Sequence, residues 1–395
     1  MACLFCSFPF LAFLSSLLYL VPMPDITLCT YTYNDEALAL GLIASVPLWT
    51  LRPQRLLVVD DGSTPPFALP QDTGSMEAEL LRLQKNRGVG KAKATGLSRA
   101  KTELILSLDC DMRLAPVWLS EAVPLALLPD VGIVGAPFVT DAGSGIVGRY
   151  LKRKHFDAKQ SPEEAPFLPG CIWLFRQEVW RAAEGFGGYT GRTGEDHAFC
   201  GRVKRLGLRL LKMGKEARQV RRLSRIAMVK RALAWHGAPM RKGCQNPETL
   251  KTGTMLLTKG LIQRLESALQ MNEPLFVYLE MLLLVVYGAA CCEGLAKNHP
   301  REAAVCAGAL LCGLTELCAP FPRLTELLWR DLAAFKLEPP ETTVHCPIWQ
   351  SALDALATLV RGGIFDYIER FLPLLLEEDD ERVDFSFYTA EPFLS

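Results

Sequence analysis

The sequence predicts an α/β protein in which a Rossmann-like, mixed but mainly parallel sheet is flanked by helices and followed by an α-helical C-terminal region. Short apolar runs rich in β-favouring residues alternate with helical patterns from residue 26 to about residue 111, as in βαβ units. Several of these runs end in aspartate, asparagine or glycine, as ligand-binding strand ends do in open α/β sheets. Beyond about residue 245 the strand signals stop.

The first part of the chain supplies the elements of the sheet, and its pattern defines a domain over residues 23–244. The expected strands cover 26–32, 56–59, 104–108, 131–139, 171–175 and 208–212, and the expected helices cover 36–46, 116–128, 177–183 and 195–206. Residues 77–83 fit either a helix or a short strand. The polar stretch 143–169 contains glycines and prolines and is expected to be a mobile loop near the site.

The second part of the chain contains helical patterns only, and it defines a helical domain over residues 245–376. The expected helices cover 247–268, 274–297, 303–317, 324–335, 348–361 and 365–376. Glu280 and Glu293 bracket the apolar run 281–292 too closely for a comfortable membrane span, so a buried core helix is expected. Residues 377–395 are expected to form an acidic, exposed tail.

Residues 1–22 form a separate apolar N-terminal segment. The stretch 3–23 is uncharged and long enough to span a bilayer. No Lys or Arg precedes it, and the first one that follows is Arg52, so the basic region of a signal peptide is missing. Three interpretations stay open: a membrane anchor, a helix packed on the protein, or translated sequence upstream of a start at Met23.

Composition limits the classes of function. Half of the 395 residues are hydrophobic and the formal net charge is zero, which argues against nucleic acid as a partner. The 13 cysteines are scattered and mostly lie in apolar runs, as in a reduced, cytoplasmic protein. The segment 202–231 is strongly basic. It predicts a solvated helix face, or else a basic flank for phosphates or an anionic membrane. Peripheral association with the inner face of the plasma membrane therefore stays open.

Asp109 and Asp111 directly follow the apolar run 104–108, at the predicted carboxyl end of a strand. On an extended backbone, residues two apart point to the same side. Two carboxylates aimed into one cleft repel each other unless a cation lies beside them, and hard oxygen ligands suit Mg²⁺ or Mn²⁺. The alternative is a solvated acidic turn.

Five motifs in order resemble the inverting, nucleotide-sugar-dependent glycosyltransferases of family 2, which have the A-type glycosyltransferase fold. They are TYTYN at 30–34, VVDDGST at 58–64, NRGVGKAKATG at 86–96, LDCD at 108–111 and GEDHAFCGRVKRLG at 194–207. The resemblance covers residues 25–240. It implies metal-dependent transfer of a sugar from a UDP-linked donor to the hydroxyl of a glycan, lipid-linked or protein acceptor. The product would be a polysaccharide, glycolipid or glycoprotein glycan, for example of the cell envelope.

On the donor side, the resemblance implies that Tyr31, Thr32 and Asp61 contact the nucleobase and ribose. A carboxylate at Asp61 can accept the uracil N–H, although Asp60-Asp61-Gly62 also fits ordinary turn chemistry. Lys93 stands where the family has arginine. It keeps a point charge for the diphosphate but loses the bidentate fork, and a helix-surface lysine is the alternative.

The resemblance gives the two strand-end aspartates different roles, since Asp109 would face the ribose and Asp111 would bind the metal. In the ED motif, Asp196 would be the general base that activates the acceptor hydroxyl, and Glu195 would shape the acceptor pocket. Acidic residues in the first turn of a helix also arise from helix capping alone. Gly170 matches a glycine that lets an acceptor approach the backbone.

His236 and Trp235 have two interpretations each. Some relatives place a histidine at the position of His236 as a further metal ligand, whereas the alternative is a core or loop histidine. Arg231 and Trp235 fall at the spacing of the Q-x-x-R-W motif of processive synthases, but its glutamine and second arginine are missing. A non-processive enzyme is therefore expected, with Trp235 on the acceptor side and His197 simply a neighbour of the base.

Three other functions compete. A phosphohydrolase of the haloacid-dehalogenase type also has an Asp-x-Asp strand end, but it needs a small or hydroxylated residue where this chain has Arg113. A sugar-nucleotide pyrophosphorylase would share the fold, but its glycine-rich opening signature is missing. A non-catalytic sugar-binding or scaffold protein is the third, and the presence of Asp109, Asp111 and Asp196 argues against it.

Overall fold

The computed structural model describes residues 24–141, 143, 145–152, 162–189, 194–340 and 342–376. The apolar segment 1–22 and the acidic tail 377–395 lie outside the described residues. The described chain divides into two compact units. The first comprises 24–138 and 162–217, and the second comprises 139–152 and 218–376.

Strands and helices alternate along the chain up to residue 219. In order they are β1 (Ile26–Thr32), α1 (Glu36–Ser45), a 3-10 turn (Val46–Leu48), β2 (Arg55–Asp60), β3 (Glu77–Arg82), α2 (Val89–Arg99), β4 (Leu104–Leu108), β5 (Met112–Arg113), α3 (Trp118–Ala126), β6 (Val131–Gly135), β7 (Phe138–Thr140), α4 (Ile146–Lys152), β8 (Glu163–Glu164), β9 (Ile172–Arg176), α5 (Gln177–Ala182), α6 (Glu195–Arg205), β10 (Arg209–Lys212) and β11 (Ala217–Gln219). Helix α4 belongs to the second unit, and the chain passes between the units at β7 and β11.

Eight of these strands form one sheet in the order β3-β2-β1-β4-β9-β6-β10-β8. β3, β2, β1 and β4 are parallel, as are β6 and β10, whereas β9 pairs antiparallel with β4 and β6, and β8 with β10. The predicted mixed, mainly parallel sheet is therefore confirmed. Because β1, β2 and β4 point the same way, the segments after Thr32, Asp60 and Leu108 emerge at one edge of the sheet.

Helices cover both faces of this sheet, because the residues of its central strands are apolar and buried on both sides. On one face, Leu28 of β1 shares an apolar cluster with Leu42 of α1 and Trp118 of α3. On the opposite face, Cys29 shares a second cluster with Leu97 of α2. Successive strand residues alternate between the faces, so β1 belongs to both cores.

The structure decides one local expectation and changes two. Residues 77–83, which fitted either a helix or a short strand, are mainly strand, because β3 pairs with β2. The single strand expected over 131–139 is two, β6 and β7, separated at Pro137, which has no N–H to donate to a ladder. The loop expected over 143–169 contains α4 and β8, because Ile146 and Tyr150 lie one turn apart on a buried stripe.

The second unit consists mainly of helices, as expected. They are α7 (Arg225–Gly243), α8 (Pro247–Gln270), α9 (Phe276–Ala296), α10 (Pro300–Cys318), α11 (Pro322–Ala333), a 3-10 turn (Pro347–Trp349), α12 (Gln350–Arg361), α13 (Ile364–Arg370) and α14 (Pro373–Leu376). The compact units do not follow the boundary expected after residue 244. Helix α7 groups with the second unit, because Met228 and Val229 are buried in its apolar cluster.

Helix α9 is the central element of the second unit. Most of its residues are buried, and Glu280 is fully enclosed, so the expected core helix is confirmed. Among the described residues, α9 is the one helix whose length and composition would allow it to cross a membrane. The apolar window that qualifies it is 83% buried, and the core helix of a soluble protein passes the same test.

Arg225 is a buried exception within the basic segment 202–231. It is 2% exposed, its Nε and Nη2 donate to the carboxylate of Asp331 at 2.5 and 2.8 Å, and its Nη1 donates to the Leu375 carbonyl at 2.8 Å. Tyr278 donates to the same carboxylate at 2.6 Å. The expectation of a solvated face is therefore wrong for Arg225, which ties α7 to α9, α11 and α14.

Candidate active site

The turn after β2 is built by two adjacent aspartates with different partners. Asp60 is fully buried and accepts the backbone N–H of Ser63 at 2.8 Å. Asp61 reaches the opposite way and accepts the N–H groups of Arg87 and Gly88, both at 2.8 Å. Burial raises the pKa of Asp61, and these two hydrogen bonds oppose the rise. Asp61 thereby fixes the glycine-rich segment that leads into α2.

Gly62 allows the turn after β2 to pack closely against the segment that leads into α2. Its φ of +81° lies in the left-handed region, and a Cβ there would lie 2.6 Å from the backbone carbon of Lys85. Only glycine accommodates both conditions. The turn and the start of α2 therefore form one packed unit. The sequence predicted turn chemistry here, but it did not predict which later segment the turn would hold.

Tyr31 and Thr32 lie at the carboxyl end of β1. The Tyr31 hydroxyl is 2.9 Å from the Ser107 hydroxyl of β4, and burial raises its pKa well above the ordinary value. Thr32 is 3% exposed, and its Oγ1 has no hydrogen-bond partner within the described part of the chain. Tyr31 therefore has an interior partner, while Thr32 presents a buried hydroxyl at the sheet edge.

Asp109 and Asp111 lie in a tight turn after β4. The Asp109 N–H donates to the Cys171 carbonyl, and the Asp109 carbonyl accepts the Met112 N–H, both at 3.0 Å. Asp111 is 3% exposed, and the Asp109 side chain is 26% exposed. The alternative of a solvated acidic turn therefore does not describe this segment.

Arg113 stabilises the same turn through hydrogen bonds to backbone carbonyls. Its Nη1 donates to the carbonyls of Cys110 and Met112 at 3.0 and 2.8 Å, and its Nη2 donates to the Leu38 carbonyl at 3.1 Å. In the sequence, Arg113 argues against a phosphohydrolase but does not indicate this contact. Its positioning role gave no sequence signal beyond its place two residues after Asp111.

Lys93 connects the acidic motifs. Its side chain is 2% exposed, and its Nζ lies 3.1 Å from Oδ1 of Asp109, 3.3 Å from Oε1 of Glu195 and 2.8 Å from the Gly170 carbonyl. Burial alone would lower the pKa of Lys93, but the carboxylates of Asp109 and Glu195 outweigh it and raise the pKa above its ordinary value. The lysine is therefore a buried ammonium, and the alternative of a helix-surface lysine is wrong.

Glu195 and Asp196 begin α6 and have different surroundings. Glu195 is 5% exposed and faces Lys93. Asp196 is half-buried; its Oδ1 accepts the N–H of His197 at 2.8 Å and its Oδ2 lies 3.4 Å from the N–H of Gly170. Glu195 is thus buried against the positive charge of Lys93, while Asp196 keeps a partly exposed carboxylate.

Gly170 lies between these groups. A Cβ at this position would lie 3.1 Å from Nζ of Lys93, 3.2 Å from Cβ of Asp196 and 3.3 Å from the Trp173 ring. Each separation is tighter than ordinary packing allows, so glycine lets β9 begin directly against the acidic cluster. Phe167 stacks on the His197 ring with centroids 4.1 Å apart. Phe167 belongs to no motif, so the sequence did not predict this contact.

The cluster is rich in negative charge. Asp109 and Glu195 both lie against the ammonium of Lys93, and the charge of Asp111 also acts on Asp109. The pKa of Asp109 is raised, mainly by burial and also by the negative charge of Asp111, while Lys93 opposes the rise. A divalent cation would relieve this repulsion, and Mg²⁺ is commonly held by only one or two carboxylates plus substrate phosphates. The residues present therefore fit such an ion, although no three His, Cys, Asp or Glu side chains in the described ranges could hold a metal by themselves.

His236 and Trp235 lie on α7, in the second unit. The His236 ring meets the Tyr287 ring edge-on, with centroids 6.1 Å apart. Trp235 is 49% exposed, and the Arg231 guanidinium lies 4.7 Å from its ring centre. The predicted metal role of His236 and acceptor role of Trp235 stay predictions, since the contacts described for both residues are internal to this unit.

Three solved structures are similar to this chain. The crystal structure of GalNAc-T7 with UDP, GalNAc and Mn²⁺ is 14% identical over 51% of this chain and 44% of its own, with a TM-score of 0.41. The mannosyltransferase PcManGT from Pyrobaculum calidifontis, in complex with GDP-Man and Mn²⁺, is 19% identical over 83% and 93%, with a TM-score of 0.40. S. aureus TarS 1–349 is 15% identical over 87% and 92%, with a TM-score of 0.41. The chain spans less than half of the GalNAc-T7 chain that it matches.

No curated protein sequence matched the chain. Residues 27–182 match the family model of glycosyl transferase family 2. The matched segment begins in β1, contains the turn at Asp61 and the acidic turn at Asp109, and ends with α5. The mixed, mainly parallel sheet flanked by helices is the architecture expected of the A-type fold. The match over residues 27–182 supports a glycosyltransferase whose domain is similar to family 2 and has the A-type fold.

Proposed function

We propose that this glycosyltransferase moves a sugar from a nucleotide-sugar to an acceptor hydroxyl with inversion at the anomeric carbon, using a divalent cation. The observation that carries the proposal is the contrast between two adjacent acids. Glu195 is enclosed against Lys93, whereas Asp196 keeps a partly open carboxylate beside Gly170. Inversion needs one base placed on the acceptor side, and only one of the two acids has a carboxylate accessible to a substrate.

The proposed base is Asp196. An acceptor hydroxyl is a weak nucleophile until a base takes its proton in the transition state. The N–H of His197 donates to Oδ1 of Asp196 at 2.8 Å, which orients the carboxylate and leaves lone pairs on both oxygens. The acceptor would approach the exposed side of the Asp196 carboxylate, because the space beside Gly170 is filled by Lys93, Asp196 and Trp173. Glu195 would position this region through Lys93 without touching the substrate proton.

The proposed cation site is Asp111, with Asp109 beside it. Their position at the carboxyl edge of the sheet and the raised pKa of Asp109 support a site that gains from added positive charge. A divalent ion held there would neutralise charge on the departing nucleoside diphosphate. The sequence-based contact of Lys93 with the diphosphate is not part of this proposal, because its ammonium already has three protein oxygens within 3.3 Å.

The proposed nucleoside contacts are Thr32 and Asp61, with a uridine donor preferred. Both oxygens of Asp61 accept backbone N–H groups, but each carboxylate oxygen can accept a second hydrogen bond, which leaves capacity for the uracil N–H. Tyr31 would line the base-binding region through its ring, because its hydroxyl already pairs with Ser107. The acceptor would be a glycan, a lipid-linked sugar or a protein.

The test is a panel of nucleotide-sugars presented to the full-length protein with Mn²⁺ or Mg²⁺, followed by measurement of released nucleoside diphosphate. We expect metal-dependent release with a uridine donor, and loss of release when the metal is chelated. Donor binding is measured in parallel by calorimetry, so that a missing acceptor cannot be mistaken for a missing donor site. Neither binding nor release with any donor would contradict the proposal.

A further inference from the structure

The second unit contains a largely apolar cavity of about 570 Å³, within the size range of small-molecule sites. It lies among α7, α8 and α9, with Tyr150 of α4 contributing to one wall. Most of the lining surface is carbon and sulfur. Representative lining residues are Met240, Leu256, Leu257, Leu283 and Cys291. No residue of the proposed transfer site lines it except the metal candidate His236.

Arg264, His236 and Tyr287 are neighbouring polar groups in the lining of the cavity. The His236 and Tyr287 rings meet with centroids 6.1 Å apart, and Arg264 is close enough to Tyr287 to interact with it electrostatically. Arg264 donates from Nε to Oε2 of Glu280 at 2.6 Å. Glu280 is fully buried behind the wall and is not a lining residue.

Arg264 is therefore the one Lys, Arg, Asp or Glu side chain that lines the cavity within the described residues. The second oxygen of Glu280 accepts the Tyr150 hydroxyl at 2.7 Å, which keeps the carboxylate turned away from the lining. A ligand in the cavity would then meet the Arg264 guanidinium, which has N–H groups beyond the one given to Glu280, in a largely apolar lining that also includes Thr249 and Thr252.

We propose that this cavity binds a single-chain amphiphile, with its hydrocarbon chain among the leucines and its anionic head group, a carboxylate or phosphate, beside Arg264. An uncharged apolar molecule would leave the Arg264 guanidinium facing carbon, and a cationic head group would repel it. The same chemistry could come from a free fatty acid or from a lipid in a bilayer. This proposal does not rest on the proposed function, which assigns no role to His236.

Two neighbouring residues of α8 supply a matched pair of variants. Leu256 and Met255 are 61% and 62% exposed, so neither substitution disturbs a packed core. Leu256 lines the cavity and Met255 does not. Leu256→Glu would place a carboxylate where the chain binds, whereas Met255→Glu would add the same charge to the same helix outside the cavity.

The experiment is titration of the full-length protein with dodecyl phosphate, below its micelle concentration, by isothermal calorimetry. Dodecyltrimethylammonium serves as the cationic probe of equal chain length. We expect saturable 1:1 binding of dodecyl phosphate, with the cationic probe at least about tenfold weaker. Leu256→Glu should weaken binding of dodecyl phosphate about tenfold or more, while Met255→Glu stays within about twofold.

The proposal is overturned if binding is not saturable, if both head groups bind equally, or if the two variants behave alike. Sedimentation with phosphatidylcholine vesicles that contain lysophosphatidic acid, a single-chain phosphate lipid, distinguishes the sources. Co-sedimentation that Leu256→Glu abolishes and Met255→Glu preserves would assign the site to a bilayer lipid. Binding of the soluble probe without co-sedimentation would assign it to a free amphiphile, and both results support the site.

Discussion

The ammonium of Lys93 lies 3.1 Å from Oδ1 of Asp109, and the same nitrogen lies 3.3 Å from Oε1 of Glu195. One buried cation thus joins the acidic turn after β4 to the acidic start of α6. In the proposed function the first segment holds the donor and the second supplies the base. Lys93 therefore sets the distance between the acidic turn after β4 and the start of α6, whichever substrate is present.

Replacing Lys93 with methionine should destabilise the protein, because Asp109 and Glu195 would lose the positive charge between them. Removing one partner of a buried ion pair typically costs about 3–5 kcal/mol. Urea unfolding followed by circular dichroism measures the loss. The control is Lys91→Met, an exposed lysine on the same helix, which should change stability by less than about 0.5 kcal/mol.

The double variant Lys93→Met/Glu195→Gln tests the cause of that loss. With Glu195 neutral, one of the two unpaired charges disappears, so part of the lost stability should return. A double variant no more stable than Lys93→Met would show that packing of the lysine stem, not its charge, holds the segments together.

Gly170→Ala should impair both stability and transfer. Its Cβ would lie within 3.3 Å of Lys93, Asp196 and Trp173, and overpacking of this kind costs about 1–3 kcal/mol. Thermal unfolding and steady-state transfer kinetics measure the two effects. In the matched control Gly201→Ala, on α6, the new methyl would meet only the end of Arg205 at 3.8 Å, and stability should stay level or rise, since alanine favours a helix. An unchanged Gly170→Ala enzyme would contradict the described packing.

Asp111→Asn should remove the metal dependence of donor binding. A neutral amide is a weaker ligand for a hard divalent cation than a carboxylate, so titration of the nucleotide-sugar in the presence of Mn²⁺ should show about the same low affinity as without it. Wild-type protein should bind the donor more tightly when Mn²⁺ is added. If the variant responds to Mn²⁺ as the wild type does, Asp111 is not the metal ligand.

Buried cysteines should react slowly and with a steep pH dependence. Burial raises the pKa of Cys318 from the ordinary value of 9.0 to about 12, and the thiolate is the reactive form. At pH 8 the thiolate fraction of Cys318 should be about a thousandfold below that of an ordinary thiol, and labelling should quicken about tenfold per pH unit. Because the folded pKa is raised, this group's contribution to stability is present below pH 9 and is lost as the pH approaches 12. Iodoacetamide labelling read by mass spectrometry checks this, and rapid labelling of native Cys318 at pH 8 would refute it.

The strand ends could be predicted from the sequence because their signal is local. The apolar run 104–108 and the aspartates after it mark a buried strand and its edge without any knowledge of the neighbours. The same holds for the run that ends at Thr32. The helices beyond residue 247 were predicted for the same reason, since their apolar period is contained within each segment.

The burial of Lys93 was not predicted, although the helix carried a signal for it. The buried residues of α2 include Gly90, Lys93 and Leu97, three positions on one helical stripe. A lysine on such a stripe faces the protein interior, and its burial requires a counter-charge nearby. Its partners, Asp109 and Glu195, lie far away in sequence, so the compensation that makes burial possible could only be seen once the sheet had assembled them.

Elements decided by tertiary contacts were left open or missed. The segment that forms β3 fitted either a helix or a strand, and its strand conformation comes from pairing with β2. Helix α7 was hidden within a basic run, where only Met228 and Val229 indicate a buried face. In both cases the partner surface, and not the local pattern, determines the structure.

The division of labour between Asp196 and the donor site is tested most directly with Asp196→Asn. Asparagine has the size of aspartate but cannot take a proton, so nucleotide-sugar affinity and folding should match the wild type. Single-turnover transfer to an acceptor should fall by about 10²–10⁴-fold. Unchanged donor binding with transfer lost would support Asp196 as the base. Wild-type transfer rates in Asp196→Asn would show that Asp196 is not the general base.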